Sequence, residues 1–165
     1  MSINKEDLEE TEELEEELTD IAELGYLVAT ISAFGHTFKL KTLNTFEKVW
    51  IAKEVSKYPG QLVFNYAYPR EVIAFSLIEF DGEEFKGLSS DETKAIIERA
   101  NTVKKTIDKW DFNIVAYLFS IYSELAKEED KVIEELKKKA KILSPQFLSS
   151  NSNTEEDSGA GQAGL

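Results

Sequence analysis

The chain has one histidine, His36, which stands next to Gly35 with no carboxylate within five residues on either side. An imidazole that acts as a general base needs an orienting partner, so His36 is expected to be a turn residue. Nucleophilic catalysis would need a serine or threonine beside a base, yet there is no G-x-S-x-G string and no second histidine. No G-x-x-x-x-G-K-[ST] string is present, and nucleotide binding is not expected. Asp81-Gly82-Glu83-Glu84 places its carboxylates around a glycine but lacks the alternate ligand spacing of a calcium loop, so a tight turn is expected there. Cysteine is absent, which removes disulfides and thiolate metal sites. Paired carboxylates abound, but an acid and base pair is defined in space rather than in sequence, and most of these groups are expected to be solvated. No catalytic, cofactor-binding or metal-binding residue is therefore assigned, and an enzyme is not expected.

Aromatic side chains are the other chemical resource. Trp50, Tyr66, Tyr68, Trp110 and Tyr117 are the candidates for contact with a protein partner, and Tyr122 is a further aromatic that could line a groove. Aromatics at helical spacing more often belong to a core, which is the competing expectation for all of them.

These residues must be positioned by a small domain. Eighteen aromatics and a hydrophobic fraction of 42% suffice for an ordinary core, while 32 acidic against 19 basic residues give a net charge of −13. Such a charge repels a phosphate backbone, so nucleic acid is not an expected partner. The longest apolar runs fall well short of the roughly 20 residues a membrane-spanning helix needs. The start of the chain runs directly into carboxylates, the reverse of a signal peptide, and an intracellular protein is expected.

Between Lys5 and Asp20 there are ten carboxylates, broken by Leu8, Leu14 and Leu18, with Ile21 continuing a helical spacing. The repulsion among these charges means the segment should order only against a partner or against the domain's own surface. Its deletion is expected to leave the domain folded while weakening association or solubility in a salt-dependent way. Tyr26 to Ile31 is rich in β-prone residues, Phe38 and Leu40 alternate with Thr37, Lys39 and Lys41, and a glycine lies between, which predicts a hairpin over about 26–42 turning at Gly35-His36. Asn44 and Glu47 form a capping box that opens a helix over about 45–57, with Phe46, Val49, Trp50 and Lys53 at helical spacing. Pro69 is expected in the first turn of a buried helix carrying Val72 to Phe80, and Ser89 with Glu92 predicts a second capping box. Trp110, Ile114, Leu118, Ile121, Tyr122 and Leu125 form the best apolar stripe. Helix continues to about 141, with Val132, Ile133, Leu136 and Ala140 inward and with pairs four apart from Glu134 and Glu135 to Lys138 and Lys139.

The reading is thus an α+β, mainly α protein: an N-terminal β-hairpin followed by a bundle of four or more helices. Residues 1–22 form an acidic arm or helix, 23–144 a single globular domain, and 145–165 a disordered polar tail.

Phe38-Lys39-Leu40-Lys41-Thr42-Leu43-Asn44-Thr45-Phe46-Glu47 leads a strand into a capped helix, and Ile78-Glu79-Phe80-Asp81-Gly82-Glu83-Glu84-Phe85 closes an apolar helix on a turn. Trp110-Asp111 then leads into Ile114-Val115-Ala116-Tyr117-Leu118 and Tyr122-Ser123-Glu124-Leu125. This order, over roughly residues 26–140, resembles the tail assembly chaperones and related small morphogenesis proteins of tailed bacteriophages. The chain departs from them in its long acidic N-terminal run. The resemblance implies a non-enzymatic chaperone that binds tape-measure or tail-tube proteins during assembly in the host cytoplasm. The alternative it implies is a structural component retained in the virion, as a baseplate or head-to-tail joining protein, and homo-oligomerisation is open in both cases. A third reading, an acidic inhibitor imitating nucleic acid, would spread carboxylates over a folded face, whereas here the densest run is terminal.

Overall fold

The computed structural model describes residues 25–143. The acidic arm and the polar tail lie outside the described residues. The chain divides into two compact units, Met1–Val132 and Ile133–Leu165.

The first unit is α+β and mainly helical. Strands β1 (Val28–Ala33) and β2 (His36–Lys41) pair antiparallel from Val28 opposite Lys41 to Ala33 opposite His36. The loop between them is Phe34-Gly35, both with positive φ of 55° and 77°. Two such residues give the turn whose twist matches that of the strands. The expected Gly35-His36 turn is thus displaced by one residue, and His36 opens β2.

Helix α1 (Thr45–Val55) begins as expected: Glu47 N–H donates to Asn44 Oδ1 at 2.9 Å, and Asn44 N–H donates to Glu47 Oε2 at 3.0 Å. Helix α2 (Gln61–Ser76) starts two turns before Pro69, which lies inside it. The carbonyl that Pro69 leaves without a donor belongs to Asn65, which is exposed and open to water, so the helix tolerates the proline. Nor does this helix reach Phe80. It ends at Ser76, and Leu77–Phe80 is strand β3, antiparallel to β2. Asp81-Gly82, with φ of 51° and 82°, then turns the chain into the short β4 (Glu83–Glu84). The sheet order is β1-β2-β3-β4.

Helix α3 (Glu92–Ile107) is capped by Asp91, whose Oδ1 accepts from Lys94 N–H at 2.8 Å. Ser89, the expected cap, instead accepts from Asp91 N–H, and its own N–H donates to Glu98. Helix α4 (Phe112–Leu143) follows, with Trp110 in the turn before it. The core joins one sheet face to the helices through Phe38, Leu40, Ile51, Ile73, Phe75, Val103 and Leu118.

In the second unit, the described part of α4 carries Glu134–Lys137 and Glu135–Lys138 ion pairs, three rather than four residues apart. Leu136, expected inward, is exposed. Among the described residues no helix is long and apolar enough to cross a membrane.

Candidate functional site

Helix α2 presents the most unusual surface of the molecule. From Gln61 to Tyr68 only Ala67 is even half-buried, although the segment carries Leu62, Val63, Phe64, Tyr66 and Tyr68. Leu62 is 72% exposed and Tyr66 53%. Apolar side chains all round a helix normally signal burial, and a contiguous exposed group of this kind marks an interaction surface.

The rings on this segment are already ordered. Phe64 stacks on Tyr68 with centroids 5.4 Å apart, and Tyr68 meets Phe119 of α4 edge-on at 5.7 Å. Tyr66 lies 4.5 Å from Phe112. Beside that pair a cleft of about 390 Å³ opens, walled by Tyr58, Val63 and Tyr66 on one side and by Trp110 and Phe112 on the other. At its polar edge Arg70 grips Asp108 with two bonds, Nε–Oδ1 at 2.6 Å and Nη2–Oδ2 at 2.7 Å. The Arg70 hydrogen bond holds the Asp108 carboxyl below its ordinary pKa, and the same bond raises that of Arg70. A concave apolar wall with a few fixed polar groups is the ordinary anatomy of a binding site.

The sequence-derived candidates separate on this geometry. Tyr66 and Trp110 line the cleft together, and Tyr68 flanks it on the α2 surface. Trp110 also packs inward, 5.7 Å from Phe38 and 5.0 Å from Phe80, so it is both wall and core. Tyr117 is exposed on α4 and touches Phe34 at the hairpin tip, 5.3 Å away. Trp50 belongs to α1 and contacts Phe46. Tyr122 is buried, and burial raises its phenol pKa strongly.

Two features went unread in the sequence. Glu47, Glu71 and Glu129 are buried carboxylates. Glu47 binds Lys41 Nζ at 2.5 Å and Arg99 Nη2 at 3.2 Å, Glu71 binds Arg70 and Lys104, and Glu129 accepts from Thr42 Oγ1. Burial lowers the Lys41 pKa, and Glu47 opposes that shift. These groups tie β2, α1, α2 and α3 into one arrangement. The capping box at Asn44 and Glu47 was the available signal.

The second feature is a partner for His36. Its Nδ1 is 2.7 Å from Asp81 Oδ2, and Asp81 Oδ1 also accepts from Thr37 N–H. The Thr37 bond, followed by the His36 contact, holds the Asp81 carboxyl below its ordinary range. Both side chains are about half exposed, and the pair clips the two hairpin turns together.

Among the described residues no group of His, Cys, Asp and Glu is placed to hold a metal ion. One string escaped the sequence reading: Gly159-Ala160-Gly161-Gln162-Ala163-Gly164 has the G-x-G-x-x-G spacing. It lies outside the described residues, and Ser149 to Ser158 before it contains no apolar run for the strand that a dinucleotide fingerprint requires. No protein-family model matches this chain, and comparisons with curated proteins and with solved structures found no similar protein.

Proposed function

We propose that this protein works without catalysis, by holding another protein on the aromatic surface formed by the first half of α2 and the adjoining cleft. The observation that carries this reading is the exposure of Leu62, Val63, Phe64 and Tyr66 on one ordered helix beside a wall of Trp110 and Phe112. Aromatic anchors beside a fixed ion pair suit an apolar segment of a partner, whose side chains would fill the cleft while polar groups meet Arg70 and Asp108.

Within that reading the partner is a tail protein of a bacteriophage and the protein is a tail assembly chaperone acting in the host cytoplasm. Support for the phage context comes from the order of sequence motifs alone. An exposed aromatic face suits a chaperone because it covers apolar surface on an unassembled subunit, and the net charge of −13 would keep the complex soluble.

The test is co-expression with a tape-measure or tail-tube protein. Wild type is expected to keep the partner soluble and to co-elute with it, whereas Leu62→Lys with Tyr66→Lys should release it while the domain stays folded. Undiminished co-elution of the double variant would remove this surface from the reading. Mass spectrometry of purified particles separates the two roles, since a chaperone is absent from the virion and a structural subunit is present.

A further inference from the structure

Residues 25–143 contain 18 acidic and 18 basic side chains, so the whole net charge of −13 is carried outside them. The described domain is electrically balanced, and a copy of it meets far less repulsion than the full charge implies. Its exposed apolar segment is also free of charge. From Tyr58 to Pro69 twelve consecutive residues include no Asp, Glu, Lys or Arg, although 31% of the chain is of those types. At about 3.6 residues per turn, Asn65 of α2 stands between Leu62 on one side and Phe64 and Tyr68 on the other, with Gln61 one turn before it. All five are exposed, Leu62 by 72% and Phe64 by 44%, and the Phe64–Tyr68 stack holds one side of the face in place.

We propose that this face of α2 binds a second copy of the chain across a twofold axis near Asn65, and that the copy covers the face until a client protein displaces it. The inference rests on the reading of the first half of α2 as a protein-binding surface and names what occupies that surface when no client does. Three properties select a copy. A face without charge gives a charged partner nothing to match and is matched by a face equally without charge, and depleted charge with enriched aromatics is the composition of an interface core. The Asn65 carboxamide carries both a donor and an acceptor, so at a twofold axis, where a residue meets its own counterpart, it satisfies both by pairing with itself. One such amide fixes the register of a helix pair that apolar contacts alone leave free to slide. The rows Gln61–Asn65 and Phe64–Tyr68, spaced four apart, are ridges that fit the grooves of the same helix. With Tyr58 and Tyr66 at its edges the face exposes roughly 600 Å² in each copy, so a pair buries about 1,200 Å², the lower end for specific interfaces. A dimer of that size is weak enough to yield to a client that fills the cleft as well.

Sedimentation of the full chain from about 1 μM to about 1 mM is expected to show a mass rising from one chain to two. Added salt should promote the rise, because it screens the repulsion between net charges of −13 and leaves apolar contact untouched. Asn65 is exposed, so substitution there leaves the fold intact. Asn65→Lys and Asn65→Glu each set like charges against one another at the axis and should stay monomeric, whereas Val49→Lys, on the exposed side of α1, should dimerise as wild type does. An equimolar mixture of the two Asn65 variants should recover the doubled mass, since their charges then face opposite charges. The chain has no cysteine, so Asn65→Cys is expected to form a disulfide between copies about tenfold faster than Val49→Cys. A mass of one chain at every concentration and salt, a dimer indifferent to Asn65→Lys, a mixture that stays monomeric, or equal disulfide rates would each overturn the proposal. A monomeric chain whose client is still released by Leu62→Lys with Tyr66→Lys would remove the dimer and leave the client surface standing. A dimer formed through Asn65 by a chain whose double variant keeps its client would do the reverse.

Discussion

The two halves of α2 have similar appetites for burial and opposite fates. From Pro69 to Ser76 every residue but Arg70 is buried, whereas from Gln61 to Tyr68 nearly every residue is exposed. Pro69 stands at the boundary and removes one helical bond there. The second half is built into the core with the sheet and α3; the first touches α4 through the rings of Tyr66 and Tyr68 and leaves the rest of its apolar surface uncovered. The same holds across α1, where Glu47 is buried and Val49 is exposed. Where apolar residues lie outside and glutamates inside, composition alone does not report the core. Position does, and the exposed apolar half is the part available to another chain.

The sharpest way to break this comparison is to truncate a phenylalanine in each half. Phe75→Ala is expected to cost about 3–5 kcal/mol, the range for emptying a buried ring, whereas Phe64→Ala should stay within about 0.5 kcal/mol. Urea midpoints with an unchanged slope measure both. Equal losses would show that the first half of α2 is part of the folding core.

Glu47→Ala tests the buried polar side of the contrast. Glu47 is 1% exposed and neutralises Lys41 and Arg99, so its removal strands two cations and is expected to cost about 3–5 kcal/mol. Leu118→Ala should cost about 2–5 kcal/mol, because Leu118 is fully buried at the centre of the α4 stripe. An unchanged melting temperature for Leu118→Ala would move that stripe out of the core.

The legible parts of the fold were those in which one local signal decides. The Asn44 and Glu47 box opened α1 as read, and of the stripe around Leu118 the residues Leu118 and Tyr122 are buried while Ile114 and Ile121 pack half-buried against the core, with Val115 buried beside them. Illegible parts were decided by pairing at a distance. Leu77–Phe80 looks like the end of an apolar helix until β2 is beside it, though Asp81-Gly82 between two β-prone runs was a usable hairpin signal. Spacing gave Phe46, Val49 and Trp50 a common helical face, yet Trp50 packs against the core while Val49 is exposed. Of the partner candidates, Tyr66, Tyr68 and Trp110 converge on one region, whereas Trp50 and Tyr117 lie on α1 and α4. His36 found its carboxylate 45 residues away, a separation no local window covers.

The smallest expected effect concerns the ion pair where the buried and exposed halves of α2 meet. Asp108 is held below its ordinary pKa chiefly by the Arg70 hydrogen bond. A carboxyl whose folded pKa is depressed binds fewer protons when folded, so its stabilisation is complete above the unfolded value of about 3.9. It is lost as the pH falls through the lower folded value. The side chains of Arg70 and Asp108 are 33% and 47% exposed, and solvent screening reduces the pair to the range of surface bridges. A double-mutant cycle of Arg70→Ala and Asp108→Ala is therefore expected to give a coupling of about 0.5 kcal/mol at neutral pH. The cycle is needed because Arg70 also binds the buried Glu71, so the single variant removes more than this pair. The coupling should fade in acid below about pH 4, and high salt should weaken it at neutral pH. A coupling of about 2 kcal/mol or more, persisting in salt, would show the pair to be a structural lock on the cleft, and the exposed half of α2 would then belong to the cooperative fold rather than to a surface kept for a partner.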